Sequence, residues 1–274
     1  MVVLLQLLLR GTGNMLPFIT IFGFEIPMFG TIGILGLVIA TFVASCRAKR
    51  YNLTRSDTVY IASYVGIGLI VGAMLMFAIT RIPVLWRARE LITTNILAWL
   101  NLGFGGLVFY GGLFGAVIAA FLYAKKMNQP FGNIVLLIVP VFPLAHAFMR
   151  IGCFLAGCCF GMESEFGIAA YLVSEINGVR AIIPNGIRLP VQLYESFANL
   201  IIFAVIWTFT IKERRWQDVI CFYGLMYSVV RFVLEYFRGD AARGALLWFS
   251  TSQWISIAVF AVCVFGLMYK RKKI

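Results

Sequence analysis

The sequence predicts an all-α integral membrane protein of seven transmembrane helices, with a small extracytoplasmic cap between the fourth and the fifth. Three observations predict it. Of the 274 residues, 62% are hydrophobic and 12% are charged, and the mean hydropathy of +0.94 lies outside the soluble globular range. Apolar runs near the ~20 residues that cross a bilayer recur along the whole chain. The basic residues gather at the ends of those runs, at the level of lipid headgroups, so the net charge of +12 reads as membrane orientation and not as nucleic-acid binding.

The spans fall near Met28–Ser45, Thr58–Ile79, Phe104–Ala124, Asn133–Phe160, Ser196–Ile211, Asp218–Phe237 and Ser250–Tyr269. The fourth is too long for a simple crossing and holds Pro140, Pro143 and several glycines, which predicts a kinked helix with a broken outer end. Met1–Leu9 is apolar but short and is followed by Arg10, so it reads as an interfacial helix and not as a cleaved signal peptide. Arg47, Lys49, Arg50, Arg55, Lys125, Lys126, Lys212, Arg214, Arg215 and the tail Lys270–Lys273 share one side. The smaller set of Arg10, Arg81, Arg87, Arg89, Arg180, Arg188, Arg238 and Arg243 faces the other. This asymmetry puts the carboxyl terminus in the cytoplasm and the amino terminus outside. With no polar linker and no internal repeat, the chain reads as a single domain. Between the fourth and fifth spans, residues 162–189 carry two strand-like runs, less cleanly alternating than those of a strong hairpin, around Asn177-Gly178, a good turn pair, and predict an extracytoplasmic loop or small hairpin cap.

Arg150 lies inside an apolar run, with Cys153, Cys158 and Cys159 after it and the chain's single histidine, His146, one turn before. An ionisable group at membrane depth costs at least about 2.5–3.5 kcal/mol on insertion scales, so it persists with a partner or a task. Depth along each span brings further polar groups to the same layer. At 1.5 Å per residue, Tyr110 lies about 9 Å below the outer face. Arg231 sits at a similar depth, with Glu235 one turn above it, and Glu195 starts the fifth span from the same side. Tyr110, Arg150, Glu195, Arg231 and Glu235 thus outline a site for the phosphate of a lipid. Pairing of Arg231 with Glu235 and of Arg150 with Glu195, as plain ties between helices, fits the same residues. The glycines nearby, Gly111, Gly112, Gly152 and Gly161 among them, serve either close helix packing or room for a headgroup.

Several segments occur together in order: Tyr110-Gly-Gly-Leu-Phe-Gly115, Arg150-Ile-Gly-Cys153-Phe with Gly157 to Gly161 after it, Pro190-Val-Gln192-Leu-Tyr194-Glu195, and Tyr227 through Arg231 and Glu235 to Phe237-Arg238. With Arg47-Ala-Lys49-Arg50 and Ser252-Gln253-Trp-Ile-Ser256 at the two ends, the chain resembles the prolipoprotein diacylglyceryl transferase family over nearly its full length. The resemblance implies an enzyme of the bacterial plasma membrane. Such an enzyme moves the diacylglyceryl group of phosphatidylglycerol, or another anionic phospholipid, to the thiol of a prolipoprotein lipobox peptide, and glycerol phosphate leaves. It implies Arg150, Glu195 and Arg231 as polar site residues, with Gly111, Gly112, Gly152, Gly161, Gln192, Tyr194, Tyr227 and Glu235 around them.

The departures from the family pattern are specific. Tyr110 stands where the family has histidine, Cys153 where it has asparagine, Cys158 where it has glutamate, and Leu189 where it has histidine. The arginine of its second span is absent from Val71-Gly72-Ala73. The only imidazole available is that of His146. Three readings follow. The parent reaction persists with Tyr110 positioning the lipid; or Cys153 or Cys158 is itself a nucleophile in a related lipid transfer to another acceptor; or the fold binds lipid without chemistry. Cys46, Cys221 and Cys263 read as buried packing residues. No cofactor and no metal is expected, because His146 with Cys153, Cys158 and Cys159 lacks paired zinc spacing, and adjacent Cys158 and Cys159 point about 100° apart on a helix. In a continuous helix a Cys153–Cys158 disulfide is out of reach and requires a break at Gly157.

Overall fold

The computed structural model describes residues 15–22, 24–176, 179–239, 245–246 and 248–271. Met1–Leu9 and the Asn177-Gly178 turn lie outside the described residues. Helix dominates. Five helices are long and apolar enough to cross a membrane, or up to seven if each of two broken pairs is one span. The chain is a multi-pass membrane protein.

A short hairpin of β1 (Phe18–Ile21) and β2 (Phe24–Pro27) leads into α1 (Met28–Ser45). After a 3-10 turn at Ala48–Tyr51 come α2 (Arg55–Arg87), α3 (Leu91–Thr94), α4 (Ile96–Phe104), α5 (Phe109–Lys126), α6 (Phe131–Ile138) and α7 (Phe142–Leu155). The strands β3 (Glu163–Ile176) and β4 (Val179–Arg188) pair antiparallel within residues 162–189, with Ile176 opposite Val179. Then follow α8 (Val191–Phe209), α9 (Trp216–Glu235), the two-residue strands β5 (Ala245–Leu246) and β6 (Phe249–Ser250), and α10 (Thr251–Arg271).

Most helix limits follow local chemistry. The second span starts before Thr58 because Thr54 and Asp57 form a capping box: Thr54 Oγ accepts from the Asp57 amide at 3.0 Å, and Asp57 Oδ2 accepts from the Thr54 amide at 2.7 Å. It continues beyond Ile79 to Arg87 with Pro83 inside it. The third expected span is interrupted at residues 105–108, between α4 and α5. The fourth is broken at Pro140, with Pro143 in the first turn of α7, where a missing amide costs nothing. Its outer end is broken as well. The expected limit at Phe160 is corrected to Leu155, because Gly157 adopts φ +75° and turns the chain out of the helix.

The described residues form two compact units, one of those up to 43 together with those from 138 onward, and one of 44–137. In the first, α7 packs on α8, α8 on α9 and α9 on α10. Gly36 and Gly152 bring α1 close to α7, for a Cβ on Gly152 would stand 3.1 Å from the Phe29 carbonyl. In the second, α2 and α5 meet through glycine on both sides. A Cβ on Gly115 would collide with the Gly68 carbonyl, and one on Gly72 with the Gly111 carbonyl. Two small-xxx-small pairs, Gly68 with Gly72 and Gly111 with Gly115, therefore let the two backbones touch. The Tyr123 hydroxyl donates to Asp57 Oδ1 at 3.1 Å and joins the far ends of the same helices.

Gly115→Val is expected to destabilise the detergent-solubilised protein by about 1–3 kcal/mol, since backbone must move to admit the side chain. Gly30→Val has nothing within 4 Å of the added Cβ and should leave the unfolding transition where it is. Thermal unfolding of the two variants side by side checks the contrast.

Candidate active site

The polar residues of the first unit converge on Glu195. Its helix, α8, starts directly after Pro190, which places Gln192, Glu195, Ser196 and Asn199 on one buried stripe. Glu195 is 0% exposed. Arg150 Nη2 lies 2.9 Å from Glu195 Oε1, the Tyr227 hydroxyl donates to the same oxygen at 3.0 Å, and His146 Nε2 stands 3.7 Å from it. Three helices are joined at one carboxylate: α7 through His146 and Arg150, α8 through Glu195, and α9 through Tyr227. Arg231, one helical turn after Tyr227 on α9, also acts electrostatically on Glu195.

The second half of the site is built on α9 and the start of α10. Arg231 Nη2 is 2.8 Å from Glu235 Oε2 and donates to Ser252 Oγ at 3.1 Å. Ser250 Oγ donates to Glu235 Oε1 at 2.9 Å, and the Ser250 amide donates to Gln253 Oε1 at 3.0 Å. Aromatic rings hold the imidazole and the phenol. His146 packs between Phe142 and Tyr227, with ring centroids 6.1 and 5.3 Å away, and Tyr223 stacks on Tyr227 at 5.9 Å.

Both expected ion pairs are therefore present, and the charges balance: two guanidiniums face two carboxylates. Hydrogen-bond capacity does not balance. Among the described residues, Arg150 Nε and Arg231 Nη1 are buried donors with no hydrogen-bond acceptor, and Glu195 Oε2 and Glu235 Oε2 are buried acceptors with no hydrogen-bond donor. Buried polar atoms in folded proteins nearly always find partners, so two such guanidinium donors on arginines that both act on Glu195 mark a place for an anion.

The remaining sequence-predicted residues divide. Gln192, 1% exposed, donates from Nε2 to the Cys158 carbonyl at 2.6 Å and clamps the turn after α7. Gly161 lies where three backbone segments cross: its amide donates to the Leu189 carbonyl at 2.8 Å, it bridges Arg238, and a Cβ there would press on Val191. Tyr194 is 44% exposed, on the face of α8 opposite Gln192 and Glu195, and is not part of the cluster. Tyr110, Gly111 and Gly112 belong to the second unit. There the two glycines pack on α2, and Tyr110 stands edge-on to Phe109 at 5.7 Å.

His146 turns to Glu195 and Tyr227 and is not in the group that the three thiols form. Cys153 is buried, and Cys158 and Cys159 are half-buried. The helical geometry that set Cys158 and Cys159 apart does not exist, because both lie beyond the end of α7. Ser250, Ser252 and Gln253, which hold the Arg231–Glu235 pair, were not among the expected site residues. Their signal was a run of small polar residues, Ser250-Thr-Ser252-Gln253, opening an apolar helix.

Comparison with known proteins places the chain among similar sequences. A family model described as "Prolipoprotein diacylglyceryl transferase" matches residues 17–269. The chain is 33% identical over 250 residues to "Phosphatidylglycerol--prolipoprotein diacylglyceryl transferase" of Clostridium tetani, covering 89% of this chain and 93% of the relative. It is 28% identical over 241 residues to "Phosphatidylglycerol--prolipoprotein diacylglyceryl transferase 2" of Clostridium perfringens, covering 87% and 89%. A relative from Xanthomonas euvesicatoria with the first of these names is 31% identical over 204 residues, 69% of each chain.

Removing one partner of the central pair leaves a buried charge behind. Glu195→Ala is expected to lower the unfolding free energy by about 3–5 kcal/mol, and the double variant with Arg150→Met to recover part of that loss. Denaturation of the single and double variants measures the coupling, and additive losses would mean that the pair is not coupled.

Proposed function

The chain belongs to the prolipoprotein diacylglyceryl transferase family, and on that footing we propose that it transfers the diacylglyceryl group of phosphatidylglycerol to the cysteine thiol of a prolipoprotein lipobox. The observation that carries this reading is the pair of buried donors, Arg150 Nε and Arg231 Nη1, that no acceptor among the described residues engages. A phosphodiester is the anion with the right chemistry. It accepts hydrogen bonds from two guanidiniums at once while its diacylglyceryl arm stays in the hydrocarbon layer.

In the reaction, the acceptor sulfur attacks the glyceryl carbon next to the phosphate. A carbon–sulfur bond forms, the carbon–oxygen bond breaks, and its electron pair leaves with glycerol phosphate. The thiol proton passes to solvent. Negative charge grows on the phosphate as the bond breaks, so donors fixed beforehand in a water-poor site stabilise the transition state more than the bound lipid. Arg150 and Arg231 do this directly. Glu195 and Glu235 hold the two guanidiniums in place, and Tyr227 and His146 hold Glu195. Tyr110, Gly111, Gly112 and Tyr194 enter this reading only through the family resemblance.

The same reading puts the protein in the bacterial plasma membrane as one seven-span domain, amino terminus outside and carboxyl terminus cytoplasmic. The β3–β4 hairpin then lies on the outer side, where a lipobox peptide arrives. A base of Arg55, Lys125, Lys126, Arg214 and Arg215 on the opposite side supports this orientation.

The test uses the full chain in phosphatidylglycerol vesicles with a lipobox peptide, following glycerol phosphate release together with peptide mass. Equal amounts of the two products are expected. Arg150→Ala and Arg231→Ala should each lower the rate by about 10²–10³-fold, the scale of losing one preorganised donor. Normal turnover in either variant would remove the phosphate role assigned to that arginine.

A further inference from the structure

The three thiols that follow Arg150 are brought together by the fold. The Sγ atoms of Cys153, Cys158 and Cys159 all lie within 4.8 Å of one another. Thiolates bound ~2.3 Å from one ion in a tetrahedron sit about 3.8 Å apart, so small rotations of the side chains close the set around a cation.

Unusual backbone holds the thiols there. The Ala156 and Cys158 amides donate to the Gly152 and Cys153 carbonyls at 2.9 and 3.1 Å and fold the chain back over the end of α7. Gly157 at φ +75° makes the turn, and a Cβ there would strike Met15 and stand 2.7 Å from the Tyr171 carbonyl. Cys159 itself is left-handed at φ +64°, a conformation that side-chain-bearing residues seldom adopt. Gln192, reaching from α8 to the Cys158 carbonyl, locks the turn from outside. Residues in sparsely populated conformations persist where surrounding structure imposes them, and they cluster at functional sites.

We propose that Cys153, Cys158 and Cys159 form a trithiolate site for a thiophilic divalent cation of the zinc class, whose open fourth position takes the acceptor thiol. Three protein ligands with one position free is the pattern of catalytic zinc, in contrast to closed structural sites. Three thiolates and a divalent cation carry one net negative charge, and the guanidiniums of Arg150 and Arg238 both act electrostatically on Cys159. Cys153 is three residues after Arg150, on the same face of α7 and about 4.5 Å further along its axis. A thiol held there is beside the phosphate that Arg150 engages.

This inference rests on the transfer reaction proposed above and supplies the step which that reaction needs, formation of the attacking thiolate. The only imidazole in the chain, His146, is turned to Glu195. On the cation, the acceptor thiol loses its proton to solvent and binds as thiolate. Its sulfur then attacks the glyceryl carbon and glycerol phosphate leaves with the bonding electrons. The thioether product is a weaker ligand and departs, and the cation keeps its oxidation state throughout.

The experiment loads the purified full-length protein with Zn(II), and separately with Co(II), under reducing conditions. It measures bound metal by mass spectrometry and cobalt–thiolate charge transfer by absorption. About one zinc per chain is expected in wild type and in Cys46→Ser, with binding weakened more than about tenfold in Cys153→Ser, Cys158→Ser and Cys159→Ser. A lipobox peptide should shift the cobalt spectrum, and the same peptide with serine for cysteine should not. Melting curves establish that the variants are folded. The site is overturned if wild type binds no more zinc than the folded triple serine variant, or if the peptide thiol leaves the cobalt spectrum unchanged. Full transfer by the triple variant would sink the cation's role and leave the transferase reading standing. Tight zinc binding with no transfer to any lipobox peptide would do the reverse.

Discussion

The ion pair of Arg150 with Glu195 is the constraint on which the rest of the first unit depends. Neither charge is tolerable alone at this depth, and together they still require the Tyr227 hydroxyl, the His146 ring and the field of Arg231. Meeting that requirement fixes α7, α8 and α9 against one another. Glycine enables the approach: Gly36 and Gly152 let α1 lie against α7, and Gly224 lets α10 lie against α9 at Cys263. The Arg231–Glu235 pair repeats the arrangement on α9, with Ser250 and Ser252 in the supporting role.

Such pairing is neutral in charge but incomplete in hydrogen bonding, and the distinction separates a structural tie from a site. If the arginines served only to tie helices, the carboxylates would be expected to take up their buried donors. Instead each guanidinium spends one nitrogen on its glutamate and keeps another buried nitrogen for an acceptor that the described residues do not supply. The glutamates thus act as positioning residues. They hold two donors still, at little cost in net charge, for a ligand that brings its own negative charge.

Much of this was legible in the sequence. Met28–Ser45 ends where the sequence put it, because Pro27 and the basic residues after Ser45 bound a clean apolar run. The break at Pro140, the hairpin in residues 162–189 and both ion pairs were legible for equally local reasons: a missing amide, a turn pair, and charges spaced by helical rise. The earlier start of α2 was missed because hydropathy weights Thr54 and Asp57 as polar and does not register that they cap a helix, and its extension to Arg87 was missed because Arg81 and Pro83 read as the end of the apolar run. Tyr194 was grouped with Glu195 by adjacency in one motif, although neighbouring residues on a helix face different ways. The thiol cluster was least legible. Its formation depends on left-handed backbone at Gly157 and Cys159, set by Gln192, Met15 and Tyr171 from distant parts of the chain. Helical periodicity carries no trace of that turn.

The central claim is that Arg150 and Arg231 together hold a lipid phosphate. Electron cryomicroscopy of the full chain in phosphatidylglycerol nanodiscs tests it most directly. Headgroup density is expected with phosphate oxygens about 2.7–2.9 Å from Arg150 Nε and Arg231 Nη1, while the pairs with Glu195 and Glu235 stay closed. Headgroup density elsewhere, with both nitrogens bound to ordered water, would contradict it.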